Sequence, residues 1–89
     1  MARTDDRWEA LRVKLDCAHR WPCPYTLKCI IQPARLEEVR AVLEGHELVL
    51  RDSSGGKYQS VTTTFTARDA SHVIGIYQRL AVIEGIILL

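Results

Sequence analysis

Eighty-nine residues, 47% of them apolar and 26% charged, make one small domain with a single core and are too apolar for a disordered chain. Twelve Lys and Arg stand against eleven Asp and Glu, a net charge of +1, so the basic excess of a domain that lives on phosphate backbones is missing. The longest apolar run, Ile86-Ile87-Leu88-Leu89, is far short of a membrane span, and the N-terminus lacks the apolar core of a secretory leader.

After a frayed start over residues 1–3, the pattern from Thr4 to about Leu15 is helical. Trp8, Leu11 and Leu15 recur on one stripe, Thr4 or Asp6 stands where a cap belongs, and Asp5 and Asp6 suit the positive helix start. Trp21-Pro22-Cys23-Pro24 stops any helix and forces an extended approach. Tyr25 to about Ile31 then alternates as a strand, with Tyr25, Leu27, Cys29 and Ile31 on one side and Thr26, Lys28 and Ile30 on the other. Pro33 opens a helix over about Ala34 to Leu43, its buried stripe Leu36, Val39, Val42 and Leu43, and Gly45 is its stop. A second strand covers about Glu47 to Asp52, and Ser53-Ser54-Gly55-Gly56 is the clearest turn in the chain. The third strand, Lys57 to about Ala67, is threonine-rich, which favours strand over helix. Asp69 or Ser71 starts a further helix with the stripe Val73, Ile76, Tyr77 and Leu80. Gly85 leads into a last strand, Ile86 to Leu89.

The order helix, then strand–helix–strand–strand–helix–strand, predicts an α+β fold. It is a ferredoxin-like βαββαβ plait: a four-stranded antiparallel sheet of order 4-1-3-2, two helices on one face and an extra N-terminal helix. Residues 1–20 are the helical extension and residues 21–89 the plait domain. The helices cover the face of Tyr25, Leu27, Cys29, Ile31, Val61, Thr63, Phe65, Ile87 and Leu89. The open face carries Thr26, Lys28, Ile30, Tyr58, Ser60, Thr62, Thr64, Ile86 and Leu88. There Ile30, Ile86 and Leu88 form an apolar patch that calls for a cover. Either the leading helix, through Trp8, Leu11 and Leu15, or another subunit supplies it, and the helix is the favoured choice. The second and fourth strands are the edges, the fourth open to a partner strand.

Cys17, Cys23 and Cys29 are an odd set with no secretory leader, which predicts reduced thiols in a cytoplasmic protein. Cys17, His19 and Cys23 offer three zinc ligands, yet no second close pair completes them and Cys29 is a small core residue, so no metal or other cofactor is expected. His19, His46 and His72 are scattered and read as surface histidines. The Glu37-Glu38 pair reads as solubilising charge, and no catalytic constellation is legible.

Trp21-Pro22-Cys23-Pro24-Tyr25-Thr26-Leu27-Lys28 resembles the aromatic–Pro–x–Pro–aromatic–Thr–x–Lys opening of the YbeD-like proteins, a bacterial family of unknown function. Ser53-Ser54-Gly55-Gly56-Lys57-Tyr58-Gln59-Ser60 resembles that family's turn, and Ile76-Tyr77 and Leu80 its second helix. The likeness covers roughly Trp21 to Leu89. It implies a ferredoxin-like fold similar to the ACT regulatory domains that bind amino acids, and a regulatory role. ACT domains hold their effector at a glycine-rich turn after the first strand. Ile31-Gln32-Pro33-Ala34-Arg35 has no glycine, which counts against amino-acid sensing of that type.

Lys28, mid-strand on the open face with Tyr58 and Ser60 beside it, is the first candidate for holding an anion or a partner. Ser53 and Lys57, in a turn whose amides could form a nest, are further candidates. Ile30, Ile86, Leu88 and Trp8 are the candidate interface residues. The expected function is a non-catalytic regulatory or protein-interaction module acting through the open face or the C-terminal edge. Its partner is a protein or a second copy. The alternative is an ACT-like sensor gripping a small acidic metabolite with Lys28, Tyr58 and Ser60. Nucleic acid is set aside, because only Tyr58 offers a stacking ring on the open face.

Overall fold

The computed structural model describes residues 3–89. The expected frayed start falls partly on residues 1–2, and the expected caps Thr4 and Asp6 on side chains, that lie outside what is described. Helix α1 spans Arg3–Ala18 and strand β1 Cys23–Ile31. A 3-10 turn over Pro33–Arg35 leads into helix α2, Leu36–Val42. Strand β2 (Val49–Asp52), strand β3 (Gln59–Ala67), helix α3 (Ala70–Ala81) and strand β4 (Ile87–Leu88) complete the chain. Each element sits where the sequence pattern put it; α1 and β1 run longer than expected, to Ala18 and from Cys23, whereas α2, β2, β3 and β4 are shorter. Pro33 starts a 3-10 turn rather than the helix itself, and Gly45 ends the following segment at φ +88°, a conformation that a residue with Cβ disfavours. Of the two candidate caps for α3, Asp69 does the work: its carboxylate accepts from the His72 amide at 2.8 Å.

The strands form one antiparallel sheet in the order β2-β3-β1-β4, the expected order read from the other edge. β1 and β3 pair along nine residues, from Cys23 opposite Ala67 to Ile31 opposite Gln59. Leu27, Cys29, Ile31, Val61, Phe65 and Ala67 point into the core, where they meet Val39 and Leu43 of the α2 segment and Val73, Ile76, Tyr77 and Leu80 of α3. Thr63 is the one buried polar residue among them, and its hydroxyl is satisfied by donating to the Glu47 carbonyl at 2.8 Å.

Two expectations are corrected. First, Leu88 pairs with Cys29 and Ile87 with Ile30, so β4 is shifted by one residue from the expected parity. Ile86 and Leu88 therefore belong to the helix side, packed against the core, whereas Ile87 faces out and is 48% exposed. All four residues of this strand region are apolar, so alternation could not choose between the two faces. Second, α1 does not lie across the open face. It packs beside α3 on the helix side, where Leu15 is buried, Trp8 and Leu11 are partly so, and Arg12 donates to the Ser71 hydroxyl at 2.7 Å. Below it, Trp21 Nε1 donates to Asp16 at 2.9 Å and ties the helix end to the start of β1. The two corrections share a cause. Apolar side chains seek apolar surface, and once Ile86 and Leu88 turn to the helix side, the patch that attracts Trp8 and Leu11 is there as well.

Candidate functional site

With all three helices on one side, the other face of the sheet is bare, and the strand pairings set out its side chains in rows. Beyond the Pro24–Thr66 pair at one end, Thr64 and Thr26 form the first row, their hydroxyls 3.0 Å apart. Val49, Thr62 and Lys28 form the second, across β2, β3 and β1. Arg51, Ser60, Ile30 and Ile87 form the third. Hydroxyls occupy the middle of the face, and Val49, Ile30 and Ile87 supply apolar surface towards its two edges. Lys28 and Arg51 are its cations, and no acidic side chain shares the face among the described strand residues. They lie on strands two apart and in neighbouring rows, a Cα separation of roughly 12 Å.

The predicted site residues separate on this grid. Lys28 is exposed mid-strand as expected, but its direct neighbour is Thr62, and Ser60 sits diagonally, opposite Ile30. Tyr58 precedes β3, four residues from Thr62 and so roughly 13 Å along the strand from the Lys28 row. Its amide donates to the Ser53 hydroxyl at 3.0 Å, and its carbonyl accepts from the Ser53 amide at 2.8 Å. Those bonds close the turn on itself, and Gly56 adds a third by donating to the Ser53 carbonyl at 2.9 Å. Gly55 and Gly56 both take positive φ, at 88° and 72°, which explains the Gly-Gly pair as turn chemistry. Lys57 is exposed beyond the turn. Lys28, Tyr58 and Ser60 thus share a face without forming one cluster. Ile30 keeps its expected position, while Ile86, Leu88 and Trp8 belong to the opposite side of the sheet.

Sequence reasoning missed Arg51, Val49 and Ile87. The signal for the first two was present: Leu48 and Leu50 alternate with Val49 and Arg51, and the leucines are the half-buried pair. Ile87 carried no signal, for the parity reason already given.

Cys23 Sγ lies 3.7 Å from His19 Nδ1, Cys17 is exposed, and no group of three potential metal ligands gathers among the described residues. Cys29 is fully buried on the core side of β1, where desolvation pushes its thiol up to about 11 and leaves it a poor nucleophile. Tyr25 and Tyr77 meet hydroxyl to hydroxyl at 3.0 Å at the edge of the core. Burial, and then the bond to Tyr25, keep the Tyr77 phenol well above its ordinary value. Among the described residues no helix is long and apolar enough to cross a membrane.

No solved structure matches the chain significantly. Its relatives are small bacterial proteins. It is 32% identical over 81 residues to UPF0250 protein SG0794 of Sodalis glossinidius, an alignment that covers 83% of this chain and 93% of the relative. It is 31% identical over 81 residues to UPF0250 protein YE3006 of Yersinia enterocolitica, with the same coverage. It is 31% identical over 83 residues to UPF0250 protein Shewana3_0990 of Shewanella sp. strain ANA-3, covering 85% and 94%. The model of a family described as "Protein of unknown function (DUF493)" matches residues 16–89, which takes in the Trp21–Lys28 and Ser53–Ser60 motifs and β4. The chain belongs to that DUF493 family, in keeping with the YbeD-like resemblance of its motifs.

Proposed function

We propose that this protein is a non-catalytic interaction module with a regulatory role, and that it acts by seating its open sheet face on an acidic surface of a partner protein in the cytoplasm. The carrying observation is the bare face, with the Cα atoms of Lys28 and Arg51 about 12 Å apart and no acidic side chain at its paired strand positions among the described residues. Two cations carried on different strands suit two carboxylates of a protein surface. Ile30, Ile87 and Val49 add the apolar contact that an interface core needs, and the hydroxyl rows add adaptable hydrogen bonds. Two copies packed face to face would set these cations against each other, so charge favours a different protein over a homodimer. The sheet order, with β1 and β3 central and every helix on one side, supports reading residues 21–89 as a ferredoxin-like plait with α1 added to its helical layer.

The test compares native-host extracts passed over the wild type and over Lys28→Glu/Arg51→Glu, both positions exposed. The expected outcome is a stoichiometric partner retained by the wild type and lost by the charge-reversed variant. A partner held equally by both would remove the open face from the interaction.

A further inference from the structure

A groove of about 630 Å³ runs between α1, the C-terminal half of α3 and the helix side of the β4 region. Trp8 and Leu11 form one apolar wall, Ile86 and Leu88 the other, and the short side chain of Ala81 leaves the space between them open. Arg7 and Lys14 stand on the α1 side. They are seven residues apart and so about 10 Å along the helix axis. The Arg7 guanidinium lies 4.8 Å over the Trp8 ring, which holds its charge against the apolar wall. No acidic side chain lines the groove among the described residues.

We infer that this groove binds a free, single-chain aliphatic carboxylate, its hydrocarbon chain along Leu11, Ile86 and Leu88 and its head group at Arg7 or Lys14. Three features select this occupant. The volume lies within the range of small-molecule sites, which are mostly apolar with a few placed polar groups. The charged side chains of the lining, Arg7 and Lys14, are of one sign, so they complement an anion and disfavour an amine. The apolar residues line a recess between two helices and a strand, which one flexible chain can enter. A peptide strand would depend on ladder bonds to the free edge of β4, which is only two residues long. The inference is independent of the open-face reading, because the groove is on the other side of the sheet.

Calorimetric titration of the full chain with decanoate, hexanoate and decanol tests it. Decanoate should bind saturably at one site, and about tenfold or more tighter than hexanoate, since ~0.8 kcal/mol per buried methylene is about fourfold in affinity. Arg7→Glu/Lys14→Glu should weaken decanoate binding at least about fivefold and leave decanol unchanged, as expected of a lost charge pairing. Ala81→Phe, at an exposed position, should fill the groove and abolish binding while the thermal midpoint is kept. Any of four results overturns the inference: no saturable binding, decanol binding as tightly as decanoate, undiminished binding in a folded Ala81→Phe, or association with anionic phospholipid vesicles in place of free decanoate.

Discussion

His72 shows how much one side chain can be asked to do at a helix start. Its amide donates to the Asp69 cap at 2.8 Å, and its Nδ1 accepts from the Arg68 amide at 3.1 Å while its ring lies edge-on to Phe65. Burial lowers the imidazole's pKa from 6.5, the Arg68 guanidinium and His46 lower it further, and Asp69 opposes them. A proton on Nδ1 would also remove the acceptor that Arg68 uses. The unfolded chain therefore binds this proton more readily than the folded one. The stabilising contribution of His72 is complete above about pH 6.5. It is lost as pH falls from there to the depressed folded-state value, below which it levels off. Urea midpoints measured between about pH 7.5 and pH 5.5 should fall for the wild type and fall less for His72→Gln. Equal falls would assign the effect to other groups. None of this was legible in the sequence, where His72 read as a surface histidine. A single chain position does not say which backbone amide will lie against a ring nitrogen.

At the scale of elements, β4 and α1 were visible as elements but not as neighbours. Strand and helix type follow from local pattern, and Gly45, Pro33, Asp69 and the Gly55-Gly56 turn punctuate the chain where their chemistry requires. The face that a strand presents is a tertiary choice, and in a run of four apolar residues both choices bury two of them. The shifted parity of β4 has a measurable outcome. Leu88→Asp places a carboxylate on the core side and should cost about 2 kcal/mol or more, whereas Ile87→Asp, on the open face, should cost less than about 1 kcal/mol. Chemical denaturation of the two variants decides it, and the reverse ranking would mean the opposite parity. The candidate site shares this history. Lys28 and Ile30 were readable because β1 alternates from Tyr25 to Cys29, which fixes the parity of Ile30 as well. Arg51 and Ile87 become its neighbours only through pairings of β2 and β4 that no local pattern states.

For the whole molecule, the α+β class and the strand order were legible because two strand–helix–strand units leave few ways to close a four-stranded sheet. What escaped was the division of labour between the two sides. One side of the sheet, with its helices, holds the core, the Tyr25–Tyr77 hydroxyl pair and the apolar groove. The other holds cations and hydroxyl rows open to solvent. A two-layer body of 38 × 32 × 22 Å offers both surfaces at once, so an occupant of one need not displace an occupant of the other.

The β1–β3 pairing carries a consequence for how the chain reaches this form. Its nine paired positions join segments far apart in sequence, and even the innermost pair, Ile31 with Gln59, closes over α2 and β2. The largest set of interstrand bonds thus arrives only after a long loop has lost its freedom, which places folding among the slower mixed α/β domains rather than the fast helical ones. Once formed, the same ladder should be the last to open. Amide protons of β1 and β3 that bond across this pair should exchange with deuterium at the rate of global unfolding, and those of β2 and β4 sooner. If the helices outlasted the central strands, the late-opening unit would lie in the helical layer instead.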